Sequence, residues 1–176
     1  MMLSEKMNKA LNEQVNWELY SSYLYLAMSA YAEQSGMKGA ANWLFVQAKE
    51  EIAHAIHMYQ HILERGGTPQ LDAVKAPEGS FESLKDVFEK VYAHEQKVSQ
   101  RINDIATLAM QENDHACYQF IIWYVNEQVE EEANDTDILA KLEFIGDNKG
   151  LLVSLDNDLG TRVYANPFPT DTKIIG

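Results

Sequence analysis

The sequence contains few of the residues that interrupt helices or form covalent cross-links. It has one cysteine, four prolines and nine glycines in 176 residues. A single cysteine excludes an internal disulfide framework and an internal four-cysteine iron or zinc centre, and it fits a reducing compartment. The low proline and glycine content leaves most of the chain free to form helices, and no segment alternates convincingly at period two.

Long hydrophobic runs are also missing. The fully apolar run 120–125 is far shorter than the roughly 20 residues that a membrane-spanning helix requires. Residues 1–14 lack the apolar core of a secretory signal. We therefore expect a soluble, cytoplasmic protein without a membrane partner.

Positive charge is scarce. The chain has 14 lysines and arginines against 27 acidic residues, and its formal net charge is −13. This balance disfavours nucleic acid as a partner, because phosphate binding needs basic patches. It favours small cations, which an acidic surface concentrates.

The periodicity of apolar residues predicts one all-α domain over residues 1–160, with an irregular tail at 161–176. The connection between the second and third helices is about 15 residues long, so it can span ~50 Å. That length exceeds the ~42 Å of a 28-residue helix, which permits one crossover along a four-helix bundle. The predicted elements are four long helices and a short fifth one, at about 5–34, 38–65, 82–111, 115–145 and 149–159.

Each long helix carries a glutamate in the middle of its apolar stripe. An unpaired carboxylate in that position would cost several kcal/mol. Glu18 and Glu51 lie at equal distances from the first predicted turn, and Glu95 and Glu131 lie at equal distances from the turn near Asn113. All four glutamates can therefore meet at the middle of the bundle, which predicts cations inside it.

One imidazole and one amide accompany these glutamates. His54 follows Glu51 by three residues, on the same helical face. Gln128 lies one turn before Glu131. Four carboxylates balance two divalent ions, and mixed carboxylate and imidazole ligands suit iron, manganese or zinc. Glu51 is central to the set and is the natural bridge between two metals.

Four segments, LNEQVNWELYSSYLYLAMS, QAKEEIAHA, YAHEQ and WYVNEQVEEE, resemble those of bacterial and archaeal non-haem ferritins, within the ferritin-like diiron-carboxylate superfamily. The similarity covers roughly residues 4–160. Haem is not implied, because the second histidine of bacterioferritin is missing and Ile52 stands where its haem-ligating methionine would be. The resemblance implies a first iron site of Glu18, Glu51 and His54, and a second of Glu51, Glu95 and Glu131 near Gln128. It also implies a third metal site of Glu50, Glu127 and Glu130 that shares Glu131. Tyr25 matches the catalytic tyrosine beside the diiron centre, and Trp123 matches a nearby aromatic residue.

The resemblance further implies a function. We expect Fe2+ to be oxidised by O2 or peroxide at two iron positions per subunit and stored as a ferric oxide mineral. The expected assembly is a hollow shell of 24 copies, in which the fifth helix points towards a symmetry axis. Tyr25 would donate an electron or orient a ligand.

Other interpretations stay open at this stage. Glu50, Glu127 and Glu130 lie one position off the stripe and suit plain surface charge as well. His57 and His61 extend the row of His54, and we interpret them as surface histidines rather than a transit site. Two other functions fit a diiron-like bundle: an oxidase acting on an organic substrate or on peroxide, and a non-catalytic helical assembly module.

Overall fold

The computed structural model describes residues 2–168, and this part of the chain contains helices and no strands. The predicted fold class is confirmed: four long helices form the bundle and a short fifth helix follows. None of these helices is both long and apolar enough to cross a membrane. Residues 161–168 are irregular, and the rest of the predicted tail, 169–176, lies outside the described residues. The helices are α1 (Glu5–Gln34), α2 (Lys38–Glu64), α3 (Leu84–Gln111), α4 (His115–Ile145) and α5 (Lys149–Leu159).

Local sequence fixes the helix ends. The Ser4 hydroxyl accepts a hydrogen bond from the Met7 backbone N–H at the start of α1. Ser83 and Asp114 accept equivalent bonds at the starts of α3 and α4. Gly36 follows α1 with a φ of +81°, a conformation that glycine adopts without strain.

The connection between α2 and α3 runs along α1. Asn8 and Asn12 donate to the Thr68 carbonyl, and Asn16 donates to the Asp72 carbonyl. Further along α1, the ring of Tyr31 packs on Phe81 with centroids 5.4 Å apart. The connection therefore passes from one end of the bundle to the other, as its length permits.

Helix α5 packs against α2 and α4. Its Asp156 carboxylate accepts from the Ala40 backbone N–H at 2.9 Å and so caps the start of α2. At Gly39 any Cβ would lie 1.6 Å from the Asp156 carbonyl oxygen, so this close approach requires glycine. These contacts hold α5 against the start of α2.

Two apolar clusters fill the bundle, and the four stripe glutamates lie between them. One cluster includes Met7, Met58 and Ile121, and the other includes Met28 and Phe88. The polar residues between them are almost fully buried. They are Glu18, Glu51, His54, Glu95, Gln128 and Glu131.

Candidate metal centre

Glu18 of α1 meets Glu51 and His54 of α2 inside the bundle. One ligand atom from each of the three side chains lies within 4.8 Å of the others, and no other group of three or more does so within residues 2–168. The residues are 1%, 3% and 3% exposed. His54 Nδ1 is 3.7 Å from Glu51 Oε2, and Glu18 Oε2 has no hydrogen-bond partner. This arrangement suits a cation between the three side chains.

Glu95 and Glu131 face this group from α3 and α4. The Tyr25 hydroxyl donates to Glu95 Oε1, and Gln128 Nε2 donates to Glu95 Oε2 at 2.9 Å. Gln47 Nε2 donates to Glu131 Oε1 at 2.8 Å and to Glu51 Oε1 at 3.2 Å. One amide therefore links the two sides of the centre.

The acids raise one another's pKa. Burial, followed by the charge of Glu51, raises the pKa of Glu18 well above its ordinary value. Burial and Glu95 do the same for Glu51, and burial and Glu131 do the same for Glu95. Without metal, burial therefore favours the protonated forms of Glu18, Glu51 and Glu95, and divalent cations would compete with those protons. Burial and the charge of Glu95 also raise the pKa of Tyr25, so its phenol stays protonated.

A chain of hydrogen bonds supports Glu18 from outside the centre. Gln14 Nε2 donates to Glu18 Oε1 at 2.8 Å, and Arg101 Nε donates to Gln14 Oε1 at 2.8 Å. The Arg101 guanidinium lies 4.7 Å from the ring centroid of Trp17. Gln14 has no role in the sequence-based interpretation, although its position one turn before Glu18 on α1 was an available signal.

The ligand atoms of the implied third site do not converge as those of Glu18, Glu51 and His54 do. Glu50 and Glu127 are half-buried, Glu130 is exposed, and the three do not form a group within 4.8 Å. Glu50 instead accepts a hydrogen bond from Arg162, whose guanidinium lies 4.5 Å from the ring centroid of Trp43. Burial raises the pKa of Glu50 to about 7, against the opposing charge of Arg162.

The interpretation of His61 as a surface residue is wrong. His61 is 8% exposed and stacks on Phe120 with centroids 3.7 Å apart. Burial lowers its pKa to about 4. His57 is half-buried, stacks on Phe168 at 3.7 Å, and lies 3.0 Å from the Tyr124 hydroxyl through Nδ1. Aromatic residues from α4 and the following segment cover this row, which periodicity along α2 alone did not reveal.

Asp135 is a further buried acid that the sequence interpretation left without a role. It lies one turn after Glu131 on α4, is 0% exposed, and neither carboxylate oxygen has a hydrogen-bond partner. Burial, followed by the charge of Glu131, raises its pKa to about 8.

Comparison with known proteins identifies the family. Residues 8–145 match the model of the ferritin-like domain. A probable bacterial non-heme ferritin-like protein of Haemophilus influenzae is 43% identical over 160 residues, which covers 90% of this chain and 96% of that protein. The bacterial non-heme ferritin of Escherichia coli O157:H7 is 38% identical over 160 residues, with 91% and 97% coverage.

Solved structures give the same result. An engineered closed form of the Archaeoglobus fulgidus ferritin superimposes with a TM-score of 0.91 at 47% identity, covering 93% of this chain and 99% of that one. The open pore ferritin from the same archaeon gives a TM-score of 0.90 at 48% identity, with 92% and 98% coverage. The chain therefore belongs to the ferritin family, as its resemblance to the bacterial and archaeal non-haem ferritins predicted.

Proposed function

We propose that this protein is an iron-storage ferritin that oxidises Fe2+ to Fe3+ with O2 or peroxide. Two iron ions would bind between Glu18, Glu51 and His54 on one side and Glu51, Glu95 and Glu131 on the other. One observation carries the proposal: the ligand atoms of Glu18, Glu51 and His54 converge within 4.8 Å in the buried interior.

The geometry of the first position favours a metal ion over an internal hydrogen bond. The 3.7 Å between His54 Nδ1 and Glu51 Oε2 is too long for a hydrogen bond. Two metal–ligand bonds of ~2.1 Å can span that distance. Glu18 Oε2, which has no donor, supplies a third ligand atom.

The side chains around the metal positions would balance the metal charge and hold the ligands in place. The carboxyls of Glu18, Glu51 and Glu95 have raised pKa values, so metal ions would compete with protons for them. Together with Glu131, they would provide four carboxylates to balance two divalent ions. Gln47 holds Glu51 and Glu131 at a fixed separation, and Tyr25 orients Glu95 as a neutral donor. Burial of these groups excludes bulk water. Two Fe2+ ions supply two electrons, which together with two protons reduce O2 to hydrogen peroxide or hydrogen peroxide to two water molecules.

Storage requires an enclosing assembly, and we propose a hollow shell of 24 copies. The surface supports assembly: Tyr23, Leu26 and Phe45 expose 55%, 39% and 44% of their surfaces on α1 and α2. A groove lined by Leu26, Ala30, Ala41 and Phe45 lies between these helices. Apolar residues grouped on a helical face suit burial against a second copy. The net charge of −13 would draw Fe2+ towards the shell.

Variants of the ligands test the proposal. Glu51→Gln and His54→Gln should each slow aerobic Fe2+ oxidation by more than about tenfold, because each removes a metal ligand. The initial rate is followed by the absorbance of Fe3+ in a stopped-flow instrument. Glu33→Gln is the matched control, since Glu33 is an exposed acid on α1. Wild-type rates in both ligand variants would exclude this centre as the place of oxidation.

A further inference from the structure

Asp135 differs from the other buried acids of the bundle because no protein group donates a hydrogen bond to it. Glu18, Glu51, Glu95 and Glu131 each accept at least one hydrogen bond from a glutamine. Both oxygens of Asp135 have no partner, although the residue is 0% exposed. A buried carboxylate without a donor costs several kcal/mol, so it requires a proton or a cation.

The position of Asp135 relates it to the metal centre. Residues four apart on a helix lie on one face, with Cβ atoms ~5–6 Å apart, so Asp135 extends the row of Glu131 along α4. Its charge also acts on Glu95 and Tyr25. The charge of Arg162 opposes the burial that raises the pKa of Asp135, but the hydrogen bond of that guanidinium goes to Glu50.

Gln47 carries a second buried acceptor, its Oε1 atom, that receives no hydrogen bond. Its Nε2 group donates to Glu51 and Glu131, while its buried Oε1 atom has no donor. It lies one turn before Glu51 on α2, just as Asp135 lies one turn after Glu131 on α4. Since Gln47 donates to Glu131, its unused oxygen belongs to an amide that already contacts the Glu131 carboxylate. Carboxylate and amide oxygens are ligands for hard divalent cations.

We propose that Asp135 and Glu131 bind an additional divalent cation next to the diiron centre, with the Gln47 carbonyl oxygen as a further ligand. The position includes none of Glu50, Glu127 and Glu130, so it is separate from the third site that family resemblance implies. Glu131 would be shared, and iron could pass between the centre and this position by exchanging the Glu131 oxygens. The proposal rests on the proposed function, because Glu131 is also a ligand of the centre.

Zinc is the probe for this position. Zn2+ binds carboxylate and imidazole ligands and is not oxidised, so occupancy can be read without turnover. Crystals of the full-length protein, its Asp135→Asn variant and its Asp137→Asn variant are soaked in Zn2+, and anomalous diffraction is recorded at the zinc edge. Asp137 is the control because it is an exposed acid on the same helix. Equilibrium dialysis measures the number of Zn2+ ions bound per chain in solution.

The wild-type protein should show zinc between Glu18, Glu51 and His54, and a separate peak ~2.0–2.2 Å from oxygens of Asp135 and Glu131. Asp135→Asn should abolish the separate peak, keep the zinc at Glu18, and lower the dialysis stoichiometry by one ion per chain. Asp137→Asn should match wild type. Zinc at Glu18 without a peak at Asp135, or a peak that survives Asp135→Asn, overturns the inference and leaves the proposed function standing. Absence of zinc from all the buried glutamates contradicts both.

Discussion

Replacement of Gln14 by leucine tests how much the hydrogen bond from Gln14 to Glu18 contributes to metal binding. Gln14 is fully buried and connects Arg101 to Glu18 through two hydrogen bonds of 2.8 Å. Leucine has a similar volume and removes both bonds. Glu18 would then lose its hydrogen-bond donor while remaining a potential metal ligand. The substitution should therefore weaken metal binding without removing a ligand.

The expected magnitude follows from the charge on Glu18. A hydrogen bond to a charged group contributes ~1.5–3 kcal/mol. That free energy corresponds to a factor of ~10–150 in a binding constant at 25 °C. Groups that orient metal ligands typically contribute a factor of ~10–100. We therefore expect Gln14→Leu to weaken Zn2+ binding at the Glu18 position by ~10–100-fold, measured by isothermal titration calorimetry at pH 7.

A matched control is available on α3. Gln100 Nε2 donates to Asp104 Oδ1 at 2.8 Å with the same four-residue spacing, on the exposed surface. Gln100→Leu breaks the same kind of bond away from the centre and should leave Zn2+ affinity unchanged. An unchanged affinity in Gln14→Leu, with the fold intact by circular dichroism, would refute the reasoning that this hydrogen-bond chain tunes Glu18.

Three further predictions follow from the same contacts. Tyr25→Phe removes a donor to Glu95 and should slow stopped-flow Fe2+ oxidation by about tenfold; a wild-type rate would show that this bond is dispensable. Arg162→Gln removes the cation that bonds Glu50 and opposes the effect of burial, so it should raise the pKa of Glu50 further in the metal-free protein, measured by NMR titration; a lower pKa would contradict the pairing of Arg162 with Glu50. The pKa values of Glu50 and Asp135 are raised to about 7 and about 8, from ordinary values of 4.5 and 3.8. Their contribution to the stability of the metal-free protein is therefore complete below pH 4 and lost as the pH rises through 8. The melting temperature of the metal-free protein should fall between pH 5 and pH 9, and Asp135→Asn should reduce that fall; a rise would have the wrong sign.

The bundle could be predicted because its determinants are local. Apolar periodicity fixes which face of each helix is buried, and loop lengths fix which helices are neighbours. The level of Glu18 with Glu51 follows from their equal distances to one turn. The long connection could be assigned to a crossover because its reach exceeds a helix length.

Contacts between helices that are distant in sequence could not be predicted. Gln47 bonds Glu131 across 84 positions of the chain, and this depends on the rotation of α2 relative to α4. Arg162 lies in an irregular segment, where no periodicity indicates its return to Glu50. Asp135 was visible as an acid on the apolar stripe, but only the packed structure reveals that it has no donor.

The most direct test of the proposed function is aerobic loading of the purified protein with Fe2+, followed by size-exclusion chromatography with iron and protein quantified in each fraction. The account predicts rapid oxidation, and iron that elutes with a particle many times larger than the 20.0 kDa chain. The iron content should greatly exceed the two ions per chain proposed for the centre. Oxidation no faster than in buffer, or iron that separates from a protein of monomer size, would contradict the account.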